Sequence, residues 1–129
     1  LQAKQMSEAS SKNSAIICVF ELTLKPAMLA AFQALVQKVV AATAQEPGTL
    51  LYSYSLNADN SGAHIIESYQ DSAALVSHVD TTFGPFAAEF LSCVEVTALT
   101  VYGAPDQQAQ SRLNSFGAVY MQPFAGFFR

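Results

Sequence analysis

A chain of 129 residues has room for one domain with a real core, and 51% apolar against 12% charged residues excludes a disordered chain. A formal charge of −4, with six Lys+Arg scattered singly, excludes a nucleic-acid binder, which needs a basic stripe against phosphates. No apolar run reaches the ~18–20 residues of a membrane span, and a charged share about half the usual ~25% leaves apolar surface for a partner subunit.

Residues 1–14 are polar and read as a disordered tail, with Met6 as the natural initiator and Leu1–Gln5 as a cloning remnant. The tail lacks the basic-then-apolar layout of a signal peptide, so the cytoplasm is the expected location. From Ala15 the pattern becomes a strand, with Ile16, Cys18, Phe20 and Leu22 on one face and Ile17 and Val19 on the other. Pro26 suits the first turn of a helix. Leu29, Phe32, Val36, Val39 and Val40 then recur at helical spacing until Pro47-Gly48 stops them.

A second strand spans Thr49–Leu56, where Leu50, Tyr52, Tyr54 and Leu56 alternate with Ser53 and Ser55. Asn57 to Gly62 is turn chemistry, so a third strand, Ala63–Gln70, closes a hairpin. Asp71 caps a short helix, Ser72–Asp80. Gly84-Pro85 restarts a helix whose Phe86 and Phe90 share a face. A fourth strand, Cys93–Tyr102, sets Val94 and Val96 opposite Leu99 and Val101. Beyond Gly103 a polar helix is expected around Gln107–Leu113, then an aromatic tail, Tyr120–Arg129.

The order strand, helix, strand, strand, helix, strand is the α+β, ferredoxin-like βαββαβ plan, an antiparallel sheet with helices on one face. Strands apolar on both faces imply that a second copy covers the bare face, giving a homodimer. Residues 15–102 make the domain and 103–129 a C-terminal extension. Cys18 and Cys93 lie far apart in apolar runs and read as buried thiols.

His64 and His78 have no carboxylate or cysteine at ligand spacing, and no Walker, G-x-G-x-x-G or G-x-S-x-G motif is present. No metal, haem, flavin or nucleotide is therefore expected. Glu67, flanked on its face by Ile65 and Tyr69, is either a pocket carboxylate with a raised pKa or a residue facing solvent or pairing across the sheet. His78 borders the buried face of its helix. It is either a proton acceptor or a helix-terminal histidine facing water. His64, at the hairpin edge, reads as surface. Phe20, Tyr52, Tyr54, Tyr69, Phe83, Phe86 and Phe90 are core by default, and in part they read alternatively as the lining of a cavity for a flat aromatic ligand.

The segments Glu46-Pro-Gly-Thr-Leu, Ile66-Glu67-Ser-Tyr69-Gln-Asp71 and Leu75-Val-Ser-His78 together resemble the antibiotic biosynthesis monooxygenase domain. That family's E-x-G-x-x-x-Y/F, E-x-W/Y, L-x-x-H and Phe-rich helix become Glu46, Gly48, Tyr52, Glu67, Tyr69, Leu75, His78, Phe83 and Phe86 here. The resemblance covers about Ile16–Tyr102. It implies a ferredoxin-like chain that dimerises into an α/β barrel and oxidises a quinol or anthrone-like aromatic with O₂, without metal or flavin. On that reading His78 or Glu67 takes the proton, Tyr52 and Tyr69 hold substrate oxygens, and the remaining aromatics bind the substrate. An isomerase or cyclase of the same fold and a non-catalytic dimeric small-molecule-binding protein are the rivals. Two features depart from the family: Thr82-Phe83 stands where a second His is common, and no Trp or helical His supports haem breakdown. The extension is expected to cover the barrel edge or the partner's pocket.

Overall fold

The computed structural model describes residues 14–129, so the expected tail at 1–13 lies outside the described residues. The elements are β1 (Ile16–Leu24), α1 (Leu29–Thr43), β2 (Thr49–Leu56), β3 (Gly62–Tyr69), α2 (Ser72–Ser77), a π-helical turn (His78–Phe83), a 3₁₀ turn (Gly84–Phe86), α3 (Ala87–Cys93), β4 (Val94–Tyr102), α4 (Gln107–Asn114) and β5 (Ala118–Met121). The sheet runs β2-β3-β1-β4-β5. Its first three pairings are antiparallel and β4–β5 is parallel. This is the expected ferredoxin-like α+β plan with one added edge strand. Among the described residues no helix is long and apolar enough to cross a membrane.

Local chemistry sets the ends of these elements. Pro26 does not open α1. It sits in a tight turn closed by Met28 N–H to Lys25 C=O, with Ala27 at φ +64°, and the helix begins at Leu29. The Asn57 side chain accepts from Gly62 N–H at 3.0 Å and Asp59 accepts from Ser61, which ties the β2–β3 turn. Asp71 caps α2 by accepting from Ala74 N–H, and Asp106 caps α4 through Ala109 N–H, both at 2.9 Å. Two packed clusters fill the space between sheet and helices. One centres on Phe32, Leu35, Val39 and Phe90, the other on Ile16, Tyr69, Leu75, Leu99 and Leu113. Cys18 and Cys93 are buried and unpaired.

Two bulges correct the strand reading. In β4, Thr97 is an extra residue between Glu21↔Ala98 and Leu22↔Val96. The extra residue shifts the side-chain alternation by one. Val94, Val96, Leu99 and Val101 therefore all face the helices rather than opposite sides. In β2 the register slips between Thr49 and Leu51, so Leu50 is 60% exposed instead of sharing the Tyr52–Tyr54 face. Apolar residues still cross the bare face. Ser53, Ile66, Val19, Thr100 and Val119 share one rung, and Leu51, Ser68, Ile17, Tyr102 and Met121 share the next. Phe124, Phe127 and Phe128 in the tail are exposed.

Candidate active site

The expected helix Ser72–Asp80 is α-helical only to Ser77. From His78 to Phe83 the chain widens into a π-helical turn. With i→i+5 bonding, His78 and Val79 face the same way as Thr82 and Phe83 one wide turn later. All four consequently point at the sheet's helical side, opposite Tyr52 on β2 and Glu67 on β3, which are register partners.

Glu46, at the end of the α1 segment, anchors this arrangement. Its Oε1 faces His78 Nδ1 at 3.0 Å and accepts from Thr49 Oγ1 at 2.7 Å, while its Oε2 accepts from Thr82 Oγ1. The carboxylate is thus fixed by three donors. It fixes in turn the imidazole tautomer, with Nδ1–H donating and the Nε2 lone pair left as the base. Gly48 makes the approach possible. A Cβ there would stand 2.7 Å from the Ala74 Cβ, so only glycine lets the chain after Glu46 lie against α2. Sequence reasoning noted Glu46 as a motif letter and missed it as a site residue. The available signal was a carboxylate three residues before Thr49 in a helix-stop segment.

His78 is 3% exposed and Glu67 6%. The imidazole is walled by Tyr52 (ring centroids 5.0 Å apart), Tyr69 (5.5 Å) and Phe83 (6.2 Å, stacked). Burial pushes the His78 pKa down, and Glu46 opposes that without reversing it, so the ring is neutral at neutral pH. Burial pushes Glu67 up to about 7, with Glu46 adding in the same direction and the hydrogen bond from Tyr69 opposing. Burial likewise holds the Tyr52, Tyr54 and Tyr69 phenols protonated.

Glu67, His78, Tyr52, Phe20, Phe83 and Phe90 line one partly open cavity, together with Ile65, Val79, Val96 and Phe116, which sequence reasoning did not name as site residues. Its free volume is ≈30 Å³, about that of one water. Three of the expected residues lie outside it. The Tyr69 hydroxyl is committed to Glu67 Oε1 at 2.5 Å. Tyr54 shares a hydrogen bond with Tyr52 (Oη–Oη 2.8 Å) and packs on Phe32. Phe86 packs on the first core cluster. A wider groove of ≈460 Å³ between α1 and β2 contains neither carboxylate nor histidine. His64 is on the surface beside Glu21. Among the described residues no group of three His, Cys, Asp or Glu could hold a metal ion.

A family model described as antibiotic biosynthesis monooxygenase matches residues 15–95. No curated protein matches the chain. Among solved structures, MupZ from Pseudomonas fluorescens superposes with a TM-score of 0.79 at 22% identity, over 91% of this chain and 96% of that one. SnoaB from Streptomyces nogalater, a cofactor-independent oxygenase, superposes with a TM-score of 0.62 at 17% identity, over 73% and 96%. Rv0793 from Mycobacterium tuberculosis gives 0.62 at 22% identity, over 73% and 98%. These likenesses show the shared fold. The MupZ match reaches past β4 into the segment carrying α4 and β5, since residues 15–102 alone are too few to account for it.

Proposed function

Because the chain belongs to the antibiotic biosynthesis monooxygenase family, we propose that it is a cofactor-independent monooxygenase acting on a quinol or anthrone-like aromatic with O₂. The observation that carries the reading is a neutral His78, oriented by Glu46, facing an aromatic-walled cavity beside a carboxyl group with a pKa near 7.

His78 Nε2 removes a proton from a phenolic or enolisable position, and the positive charge that forms is stabilised by Glu46. The electron-rich anion transfers an electron to O₂, and the radical pair recombines to form a carbon–peroxide bond. Imidazolium returns its proton to the peroxide, and His78 then takes the remaining C–H proton at that carbon. The C–H electrons form the carbonyl as the O–O bond breaks, and the departing hydroxide leaves as water with a proton from imidazolium or from neutral Glu67. For an anthrone the balance is substrate plus O₂ giving quinone plus water. A dry, apolar cavity favours this chemistry by keeping water from the anion. Tyr52, whose phenol stays protonated, is positioned to donate to a substrate oxygen.

The same reading takes the protein as a homodimer with bare sheet faces packed together, supported by the apolar rungs through Ile17, Val19, Ile66 and Tyr102. It extends to a cytoplasmic enzyme, supported by two unpaired, buried thiols. The test is oxygen uptake on adding an anthrone or hydroquinone. Stoichiometric O₂ consumption with quinone formation supports the proposal. Turnover of the same compounds without oxygen would sink it in favour of an isomerase.

A further inference from the structure

The cavity is too small for any aromatic substrate, so one of its walls has to give way. Strand order shows what each wall is made of. Tyr52 and Glu67 stand on β2 and β3, Phe20 on β1, Val96 on β4, and Phe116 immediately before β5. The polar groups thus occupy one end of a trough, and the other end is hydrocarbon. From β3 across β1 to β4 the trough runs ~10 Å, two strand spacings. That length suits two or three fused rings better than one.

Phe116 is the wall best placed to yield. Its ring lies edge-on to Phe20, centroids 5.6 Å apart at 81°, and closes the hydrocarbon end. The residue is half-buried on the short turn between α4 and β5, followed by Gly117 at φ +74° with open space around it. The segment is nevertheless registered on the site. Arg112 of α4 holds Asp80 of the π-helical turn through Nη2–Oδ2 at 2.8 Å and Nε–Oδ1 at 3.2 Å. Asp106 N–H donates to Ser72 Oγ at the start of α2. Phe116 lies beyond residues 15–95, where the family match ends.

We propose that Phe116 is the specificity-determining wall of the cavity, its ring occupying the place that the far ring of a fused-ring phenol or enol takes on binding. The inference rests on the reading of this cavity as the substrate site, and it adds the residue that discriminates by ring number. Phe116 favours a neutral, flat molecule of two or three fused rings, with its reacting oxygen at the His78–Glu67 end, over a single ring. A single-ring phenol needs room only at the His78–Glu67 end, so it gains little from displacing Phe116 at the hydrocarbon end.

Binding tests the proposal without turnover. Calorimetric titration of wild type and Phe116→Ala uses 1-hydroxyanthraquinone as the three-ring probe and phenol as the one-ring control. The variant should raise the ratio of three-ring to one-ring affinity about tenfold, because the closed state no longer competes with the ligand. Phe116→Leu, which keeps an apolar branch in place, should give an intermediate ratio. The chain has no tryptophan, so Phe116→Trp supplies a single reporter whose emission should move to the red when the three-ring probe expels it to water. An unchanged ratio in both smaller variants, a stationary emission maximum at saturating probe, or no three-ring binding by any of these proteins overturns the proposal. Oxygen plays no part in these measurements. Binding as expected without oxygen uptake would remove the oxygenase reading alone, and uptake with an unchanged ratio would remove this one alone.

Discussion

Each of the two histidines stands beside a glutamate, and the two pairs lie on opposite sides of the sheet. His64 and Glu21 face each other across β3 and β1 on the bare side, 3.8 Å apart, with side chains 57% and 49% exposed. His78 and Glu46 meet on the helical side at 3.0 Å, 3% and 15% exposed. The residue types are the same and the chemistry is not. In water such a pair contributes about 0–1 kcal/mol and is screened. Buried, with Thr49 and Thr82 holding the carboxylate, the pair sets a tautomer and aims Nε2, while burial keeps the ring neutral against the pull of Glu46. Surroundings, rather than the Glu–His pairing itself, separate the proposed base from a solvated surface pair.

The comparison breaks most sharply at His78. His78→Ala should lower kcat ~10²–10⁴-fold, the usual worth of a positioned base, in an oxygen-uptake assay with an anthrone, with circular dichroism unchanged. A rate equal to wild type would pass the role to Glu67 or remove the base altogether. Glu67→Gln sharpens the contrast through stability. The folded pKa of Glu67 is about 7 against an ordinary value of 4.5, so between these values the native state holds a proton that the unfolded chain has lost. Stability from this group therefore falls as pH rises from 4.5 to 7, by on the order of 3 kcal/mol. His78 acts with the opposite sign. Its folded pKa is lowered, so its contribution is present above 6.5 and lost as pH falls, and it is common to both proteins. Urea unfolding at pH 4.5 and 7.5 should show the stability of Glu67→Gln relative to wild type rising by about that amount between the two pH values, and parallel curves would exclude Glu67 as the cause.

Glu46→Gln keeps the shape and removes the charge that orients the ring. It should cost about 10–100-fold in kcat, the scale for losing the partner that orients a functional imidazole. Ile66→Lys places a charge in the middle of the bare face. Sedimentation at micromolar concentration should give twice the chain mass for wild type and the chain mass for the variant, and a monomeric wild type would end the face-to-face dimer. The smallest effect belongs to His64→Ala, which should leave the oxygen-uptake rate within about twofold of wild type because its partner is a solvated surface carboxylate.

The order of elements was legible because alternation and helical spacing are strong over eight or more residues, as in Ile16–Leu22 and Phe32–Val40. Features that depend on one inserted residue were not. Thr97 looks like any strand residue, yet as a bulge it turns Val94 and Val96 to the side of Leu99 and Val101. The π-helical turn begins inside a segment whose Leu75–His78–Val79 spacing already reads as an ordinary helix. β5 has only four residues, too few for alternation to stand out from the tail. At the site, Glu67 and His78 were visible through their apolar neighbours. Glu46 was not, because its role arises from a fold that brings residues 32 positions apart within 3.0 Å. Phe116 was hidden for the same reason, being joined to Phe20 only through the sheet.

The position of β1 dictates how the molecule is made. It is made before the other described strands and is the middle strand of the sheet, and Ile17 can meet Tyr102 of its second neighbour, β4, only after all the intervening elements have been synthesised. The β2–β3 hairpin, with its tied turn, can close while β1 still lacks that neighbour. Pairing across so much intervening chain places the domain among slowly folding topologies. Until β4 docks, one edge of β1, rich in Ile and Val, is open to the strands of other nascent chains. Synthesis therefore passes through an interval in which neighbouring chains on one message compete with the chain's own fourth strand, and a slower supply of β4 codons would lengthen it.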